Sequence, residues 1–249
     1  LKIGYEALVV AAAKGAKDLN LDQRKLFMAL AKDVPHPTAD KEGLLVENPY
    51  NTWKDIDANA PKQAIKIYAP ADKSRDERSV KLLGMEDGCR TWEWVPDLKN
   101  IQRSYALYRA LCHGMREDGK YIKADSADAD YTKKIISDKT SIGLMGFNKW
   151  QKSKDKLEAL PINELPPTIG TISKGLYPLS RAYYVYIKTS SLENVQGLSH
   201  FMNELVNEKT LAADGYLAKK GMVAMPEKEM KKEVTQALEF TAMTSSGSE

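Results

Sequence analysis

Cysteine is nearly missing from this chain of 249 residues: Cys89 and Cys112 are all it has. They do not form the CxxC pairing of a zinc site, and the 22 residues between them leave two readings open, one bridge in an oxidising compartment or two buried thiols. Histidine is scarce as well. His36, His113 and His200 stand far apart with no partner at metal-ligand spacing, so surface or packing roles are expected and no metal or cofactor. Long apolar runs are absent, since the longest, Ala7 to Ala13, ends at Lys14, far short of the roughly 20 residues that cross a bilayer. A dominant charge is lacking too: 37 basic and 34 acidic residues, spread along the chain, give a net charge of +3 and no nucleic-acid footprint. No P-loop, HExxH, Ser-His-Asp or Cys-His arrangement is present, and no enzyme is expected. What remains is ordinary globular composition, 43% apolar and 29% charged with a mean hydropathy of -0.47, which excludes disorder and suffices for one large domain or two small ones. The first residue is Leu1, so a mature form or a fragment is expected, with any secretion signal out of view.

Strand and helix patterns alternate, which favours an α/β protein. Lys2 to Ala12 reads as a buried strand, and Leu21 to Lys32 as a helix capped by Asn20. Turn residues fill Val34 to Gly43, and Asn48-Pro49 and Asn59-Ala60-Pro61 continue the punctuation. Ile65 to Tyr68 is a short strand that runs through Ala69 to Ser74 into a helix, a junction of the kind at which open sheets bind ligands. Further helices are expected over Tyr105–Met115 and Asp130–Ser137, then a strand over Ser141–Phe147 whose glycines mark a close approach. Leu157–Glu164 reads as strand and turn, Thr168–Lys174 as a short helix, and Arg181–Lys188 as an aromatic, β-branched strand. Helices over Leu198–Asn207 and Glu227–Leu238 close the chain before a frayed tail, Thr241–Glu249.

Six segments carry a resemblance. Gly4-Tyr5-Glu6-Ala7-Leu8-Val9, Asn51-Thr52-Trp53-Lys54-Asp55-Ile56, Arg116-Glu117-Asp118-Gly119-Lys120-Tyr121, Ile142-Gly143-Leu144-Met145-Gly146-Phe147, Tyr177-Pro178-Leu179-Ser180-Arg181 and Asp214-Gly215-Tyr216-Leu217 follow one another as in the periplasmic phosphate-binding proteins of phosphate ABC transporters. Each is weak alone; in register they cover essentially the whole chain. The chain is most similar to the proteobacterial type, in which cysteines stand where Cys89 and Cys112 do here, so the resemblance and a secreted setting favour a disulfide between them. It implies a two-lobed, type II solute-binding fold, a periplasmic or secreted location, a small-anion ligand such as inorganic phosphate, and an ABC permease as partner.

Two departures follow. The family begins with an earlier strand and helix block that helps to hold the anion, and this sequence starts after it, so the first lobe is expected to be incomplete. Residues 1–180 are expected to form mainly the second lobe, 181–240 the return segment completing part of the first, and 241–249 a disordered tail. Gly4, Tyr5, Ser180 and Arg181 are the hinge or interlobe candidates.

The second departure is local. Where the family carries Ser-Gly-Thr-Arg-Asp, whose hydroxyls and amides wrap an oxyanion at a helix start, this chain has Ser74-Arg75-Asp76-Glu77-Arg78. Those five residues are the ligand-binding candidates. Only the serine is kept. Arg75 replaces a glycine, Asp76 replaces a hydroxyl donor by an acceptor, and Glu77 replaces the arginine. Ser74-x-x-Glu77 is also a capping-box pattern, in which protein groups satisfy the amides an anion would use. Two carboxylates at ~5 Å would each oppose a phosphate by roughly 3 kcal/mol per unit charge at an effective dielectric of ~20, offset in part by Lys73, Arg75 and Arg78. Weak or absent phosphate binding is expected, the other reading being a secreted interaction protein with a protein partner. Asp125, Asp128 and Asp130 hint at a calcium loop but lack its glycine and final glutamate, so Asp130 is expected to cap a helix. Tyr183, Tyr184 and Tyr186 are expected to alternate between core and rim.

Overall fold

The computed structural model describes residues 1–16, 19–36, 45–100, 104–126, 130–191 and 194–239. It divides the chain into two compact units, a larger one of Ala7–Pro167 with Tyr177–Leu179, and a smaller one of Leu1–Glu6, Thr168–Leu176 and Ser180–Glu249.

The larger unit is built on β1 (Lys2–Ala13), whose residues from Gly4 onward are all buried. A strand so uniformly apolar belongs in the middle of a sheet with both faces covered. α1 (Gln23–Leu30) follows and buries Leu26, Phe27, Ala29 and Leu30. Its cap is Asp22, whose carboxylate accepts the Lys25 amide at 2.7 Å. Asn20, the expected cap, offers only its carbonyl to Lys25 Nζ, because the helix starts three residues after it. The expected loop after Val34 contains a short antiparallel pair, β2 (Asp33–Pro35) with β3 (Leu45–Glu47); residues 37–44 lie outside the described residues.

α2 (Trp53–Ile56) buries Trp53, and Asp55 accepts the amides of Asn51 and Thr52 at 2.9 and 2.7 Å. After β4 (Ile67–Ala69) one continuous helical run carries α3 (Arg75–Ser79), a π-helical stretch over Val80–Glu86 and α4 (Asp87–Cys89). At Gly88 a Cβ would stand 2.2 Å from the Gln23 carbonyl oxygen, so only glycine lets this run lie against α1. α5 (Val95–Asn100) and α6 (Tyr105–His113) follow, and a Cys89–Cys112 disulfide with Cα atoms 5.4 Å apart ties α4 to α6. By loop closure this bond contributes roughly 3 kcal/mol.

β5 (Tyr121–Lys123) pairs parallel with β4. α7 (Thr132–Ser137) starts later than expected, and Asp130 accepts the Thr132 amide at 3.0 Å from a position one residue before the cap. Asp128 lies outside the described residues. β6 (Ile142–Gly146) pairs parallel with β4 and antiparallel with β1, runs straight into α8 (Phe147–Gln151), and is followed by β7 (Leu157–Ala159) on the other edge of β1. The strand order is β5-β4-β6-β1-β7.

In the smaller unit, α9 (Ile169–Ser173) starts at the Thr168 cap, and β8 (Ser180–Tyr184) pairs with β1 but stops short of the expected Lys188. α10 (Leu198–Leu205) ends before Asn207, which instead caps α11 (Glu208–Leu211) by accepting the Lys209 amide. α12 (Tyr216–Lys219) and α13 (Glu227–Leu238) complete it. The N-terminal residues belong here for a physical reason: Tyr5 and Val223 exchange backbone hydrogen bonds of 2.8 Å, the Lys2 amide donates to Glu233 at 2.8 Å, and the Tyr5 hydroxyl donates to Glu229 at 3.2 Å. Thr168–Leu176 groups with this unit too.

Candidate functional site

The larger unit places the turn 70–78 at the carboxyl end of β4, between two parallel neighbours, where open α/β sheets form ligand crevices. The chain turns sharply there, with Lys73 at a φ of 61°. Ser74 caps α3 as expected, its Oγ accepting the Glu77 amide at 3.1 Å. The return half of the capping box does not form. Ser74 donates its own amide to the Ala71 carbonyl at 3.3 Å, and the buried Glu77 carboxylate pairs with Lys81 one turn along. The i,i+4 spacing of Glu77 and Lys81 was readable in the sequence and competes with the cap for the same carboxylate.

Asp76 reaches outside the turn instead. Its Oδ2 accepts the amide of Gly146 at 3.2 Å, at the carboxyl end of the neighbouring strand β6. A Cβ at Gly146 would stand 2.9 Å from Asp76 Oδ1, so glycine there lets the carboxylate approach. One backbone amide at the carboxyl end of β6 is thus held by the protein's own anion. Arg75 and Arg78 are exposed, and Asp72 pairs with Lys123 at 2.9 Å.

Two tyrosines that sequence reasoning did not single out lie close by. Burial pushes the Tyr131 phenol up, and the Asp76 charge adds to this; its hydroxyl donates to the Leu144 carbonyl. Burial likewise raises Tyr121, with Glu77 and Asp72 adding to it, and its buried hydroxyl has no hydrogen-bond partner among the described residues. In both, burial is the larger cause and the neighbouring carboxylates act in the same direction. No hydrophobic pattern distinguishes such tyrosines from ordinary core residues.

The segments that carry the resemblance mainly hold the fold. Arg116 is buried and grips Asp118 through two bonds, Nε–Oδ1 at 2.9 Å and Nη2–Oδ2 at 2.6 Å, while also donating to the carbonyls of Ala29 and Tyr50 at 3.2 and 2.9 Å. The guanidinium hydrogen bond holds the Asp118 carboxyl well below the usual carboxylate range. Of the hinge candidates, Gly4 has a φ of 145°, Tyr5 is bridged to Val223, and Arg181 donates to the buried Glu6 carboxylate, which also accepts from the Tyr183 hydroxyl. Two of the four unit boundaries, Glu6/Ala7 and Leu179/Ser180, fall beside these residues. His113 sits within hydrogen-bond reach of Glu86, at 3.0 Å, and no group of metal-ligating side chains occurs among the described residues.

Comparison with known proteins agrees with this architecture. A family model described as a PBP superfamily domain matches residues 1–209. The phosphate-binding protein PstS of Staphylococcus epidermidis is 32% identical over 223 residues, 84% of this chain and 67% of that protein. The Staphylococcus saprophyticus protein of the same name is 24% identical over 184 residues, 72% of this chain and 47% of that protein. The chain therefore spans between about half and two thirds of the length of these relatives. Among solved structures, a possible phosphate binding protein from Planctomyces limnophilus superposes with a TM-score of 0.64 at 18% identity, covering 98% of this chain and 72% of that one. PstS from Borrelia burgdorferi gives 0.57 at 16% identity, covering 91% and 72%. With the two-lobed binding-protein fold supported by these structures and the sequence match by a close cousin, the chain belongs to the PBP superfamily as a PstS-like member.

Proposed function

We propose that this chain is the solute-binding component of a bacterial ABC phosphate importer, acting in the periplasm or outside the cell beside a membrane permease, and that it holds inorganic phosphate or another small anion weakly. The larger unit is its second lobe and the smaller unit part of its first, with Gly4, Tyr5, Ser180 and Arg181 at the crossing and the Cys89–Cys112 bond as the mark of the proteobacterial type. The importer role is supported by the family match; the weak binding is carried by one observation, the Asp76 carboxylate seated on the Gly146 amide.

The physical basis is a competition for donors. A phosphate entering the crevice needs N–H and O–H groups, and Asp76 both occupies one donor and brings a charge of the wrong sign. At ~5 Å that charge opposes the anion by roughly 3 kcal/mol per unit phosphate charge at an effective dielectric of ~20. Glu77 opposes less, because Lys81 lies against it. Ser74 Oγ, already an acceptor for the Glu77 amide, retains its hydroxyl proton for an incoming oxygen.

Calorimetric titration with inorganic phosphate tests this. The native chain should bind no tighter than millimolar, and Asp76→Thr should strengthen binding by about tenfold or more, about 1.4 kcal/mol. A micromolar dissociation constant for the native chain, or an Asp76→Thr variant of unchanged affinity, would overturn the reading.

A further inference from the structure

Gly4 is buried at a φ of 145°, and the space over its Cα is filled by Met222: a Cβ there would stand 2.6 Å from the Met222 sulfur, 2.8 Å from its Cγ and 2.9 Å from the Val223 carbonyl oxygen. The next residue, Tyr5, exchanges backbone hydrogen bonds of 2.8 Å with Val223. The thioether is thus packed on the backbone directly beside this pair of bonds. Its own backbone is held in place, because Gly221 takes a φ of 98° after α12 and the Met222 amide donates to the Leu217 carbonyl at 3.1 Å. Met222 is half-buried, whereas Met85, Met145, Met202, Met225 and Met230 are buried. Oxidation of methionine turns a flexible apolar side chain into a polar one, and it reaches sulfurs that reagents can approach.

We propose that Met222 is an oxidation site for peroxides, at which conversion of the thioether to the sulfoxide loosens Gly4 and Tyr5 from Val223. The sulfur lone pair attacks one peroxide oxygen and the O–O bond breaks. The departing hydroxide takes the proton of the transferred oxygen and leaves as water, so sulfur is oxidised and the peroxide reduced by the same electron pair. The oxygen gained is a hydrogen-bond acceptor. The polar atom among the three nearest to the space over Gly4 is the Val223 carbonyl oxygen, which is an acceptor as well and offers it no proton. With the Met222 backbone held by the turn after α12, the crowding is relieved by swinging the side chain out or by lifting Gly4. Either movement removes packing from the backbone next to the Tyr5–Val223 bonds, and backbone bonds with fewer apolar contacts around them open more readily.

The test is hydrogen exchange followed by mass spectrometry on the 249-residue chain before and after dilute hydrogen peroxide, with Met222→Leu as the comparison. Leucine keeps an apolar side chain of similar size and has no sulfur to oxidise. Peroxide should place a sulfoxide on Met222 in the folded chain, and exchange over 2–5 and 222–225 should then be at least about tenfold faster, with β6 unchanged. In Met222→Leu the same treatment should leave exchange over 2–5 as it was, which controls for sulfoxides formed at the half-buried Met28 and Met115. A Met222 that stays unoxidised in the folded chain, or a sulfoxide there with unchanged exchange, would overturn the proposal. So would an equal acceleration in the leucine variant, or a matching acceleration at β6, which reports general unfolding. Phosphate is not a readout here, so a failure of the importer reading leaves this result standing.

Discussion

β6 and β8 are strands of five residues each, and their surroundings differ sharply. Four of the five residues of β6 are buried, and the strand is paired on both sides, with β4 and β1; β8 buries none of its five. The lesson is that apolar composition sets which residues can form a core, while burial depends on what the rest of the chain brings to each face. The larger unit brings a helix on a glycine contact, a disulfide and an arginine clamp. The smaller unit anchors its N-terminal segment by polar contacts to α13 and leaves Tyr184, Tyr186, Phe201 and Tyr216 exposed.

The comparison can be pressed by perturbing each side. The largest effect is expected at Arg116→Met, which leaves the Ala29 and Tyr50 carbonyls without their donor and should lower unfolding free energy in urea by about 3 kcal/mol. A change under about 1 kcal/mol would mean that the clamp does not hold the larger unit together.

A smaller effect is expected at Glu86, which accepts from the Tyr108 hydroxyl at 2.6 Å and from Lys99 at 2.9 Å. Burial alone would raise this carboxyl, but hydrogen bonds from Tyr108, Lys99 and His113 outweigh it and hold it at about 2, below its ordinary value of 4.5. A depressed folded value means that the stabilisation is complete above pH 4.5 and is lost as pH falls toward 2. Glu86→Gln should therefore cost about 2 kcal/mol at pH 7 and flatten the acid limb of the stability curve. An acid limb that is unchanged in the variant would place the sensitive carboxylates elsewhere.

The smallest effect belongs to the other side of the comparison. Tyr186→Ser and Phe201→Ser should each shift the stability of the 249-residue chain by less than about 0.5 kcal/mol, because exposed side chains have little burial to lose. A loss above about 2 kcal/mol in this chain would show that these residues are already packed.

Much of the fold was legible. The β1 strand and the helix Glu227–Leu238 were read to within a residue, the first from an unbroken apolar run and the second from a charged stretch that follows Pro226. The Asn20 reading failed because Asp22, two residues on, has the same capping chemistry, and only the start of the helix decides between them. The candidate site was half legible. Its turn, its serine cap and its two acids could be located, yet Glu77 pairs with Lys81 and not with the Ser74 amide, and the Gly146 amide as partner of Asp76 was not foreseen.

The amino-acid order alone settled that an acidic turn follows a short strand, because capping and helix periodicity act over three or four positions. It could not settle which carboxylate meets which amide. Asp76 and Gly146 are 70 residues apart, and they meet because β4 and β6 run parallel and end together. That shared end is a product of sheet register, set by long-range pairing rather than by any neighbour in the chain. For the same reason Tyr183, Tyr184 and Tyr186 could be read as alternating between core and rim, and only the packed structure decided that Tyr183 is half-buried while Tyr184 and Tyr186 are exposed.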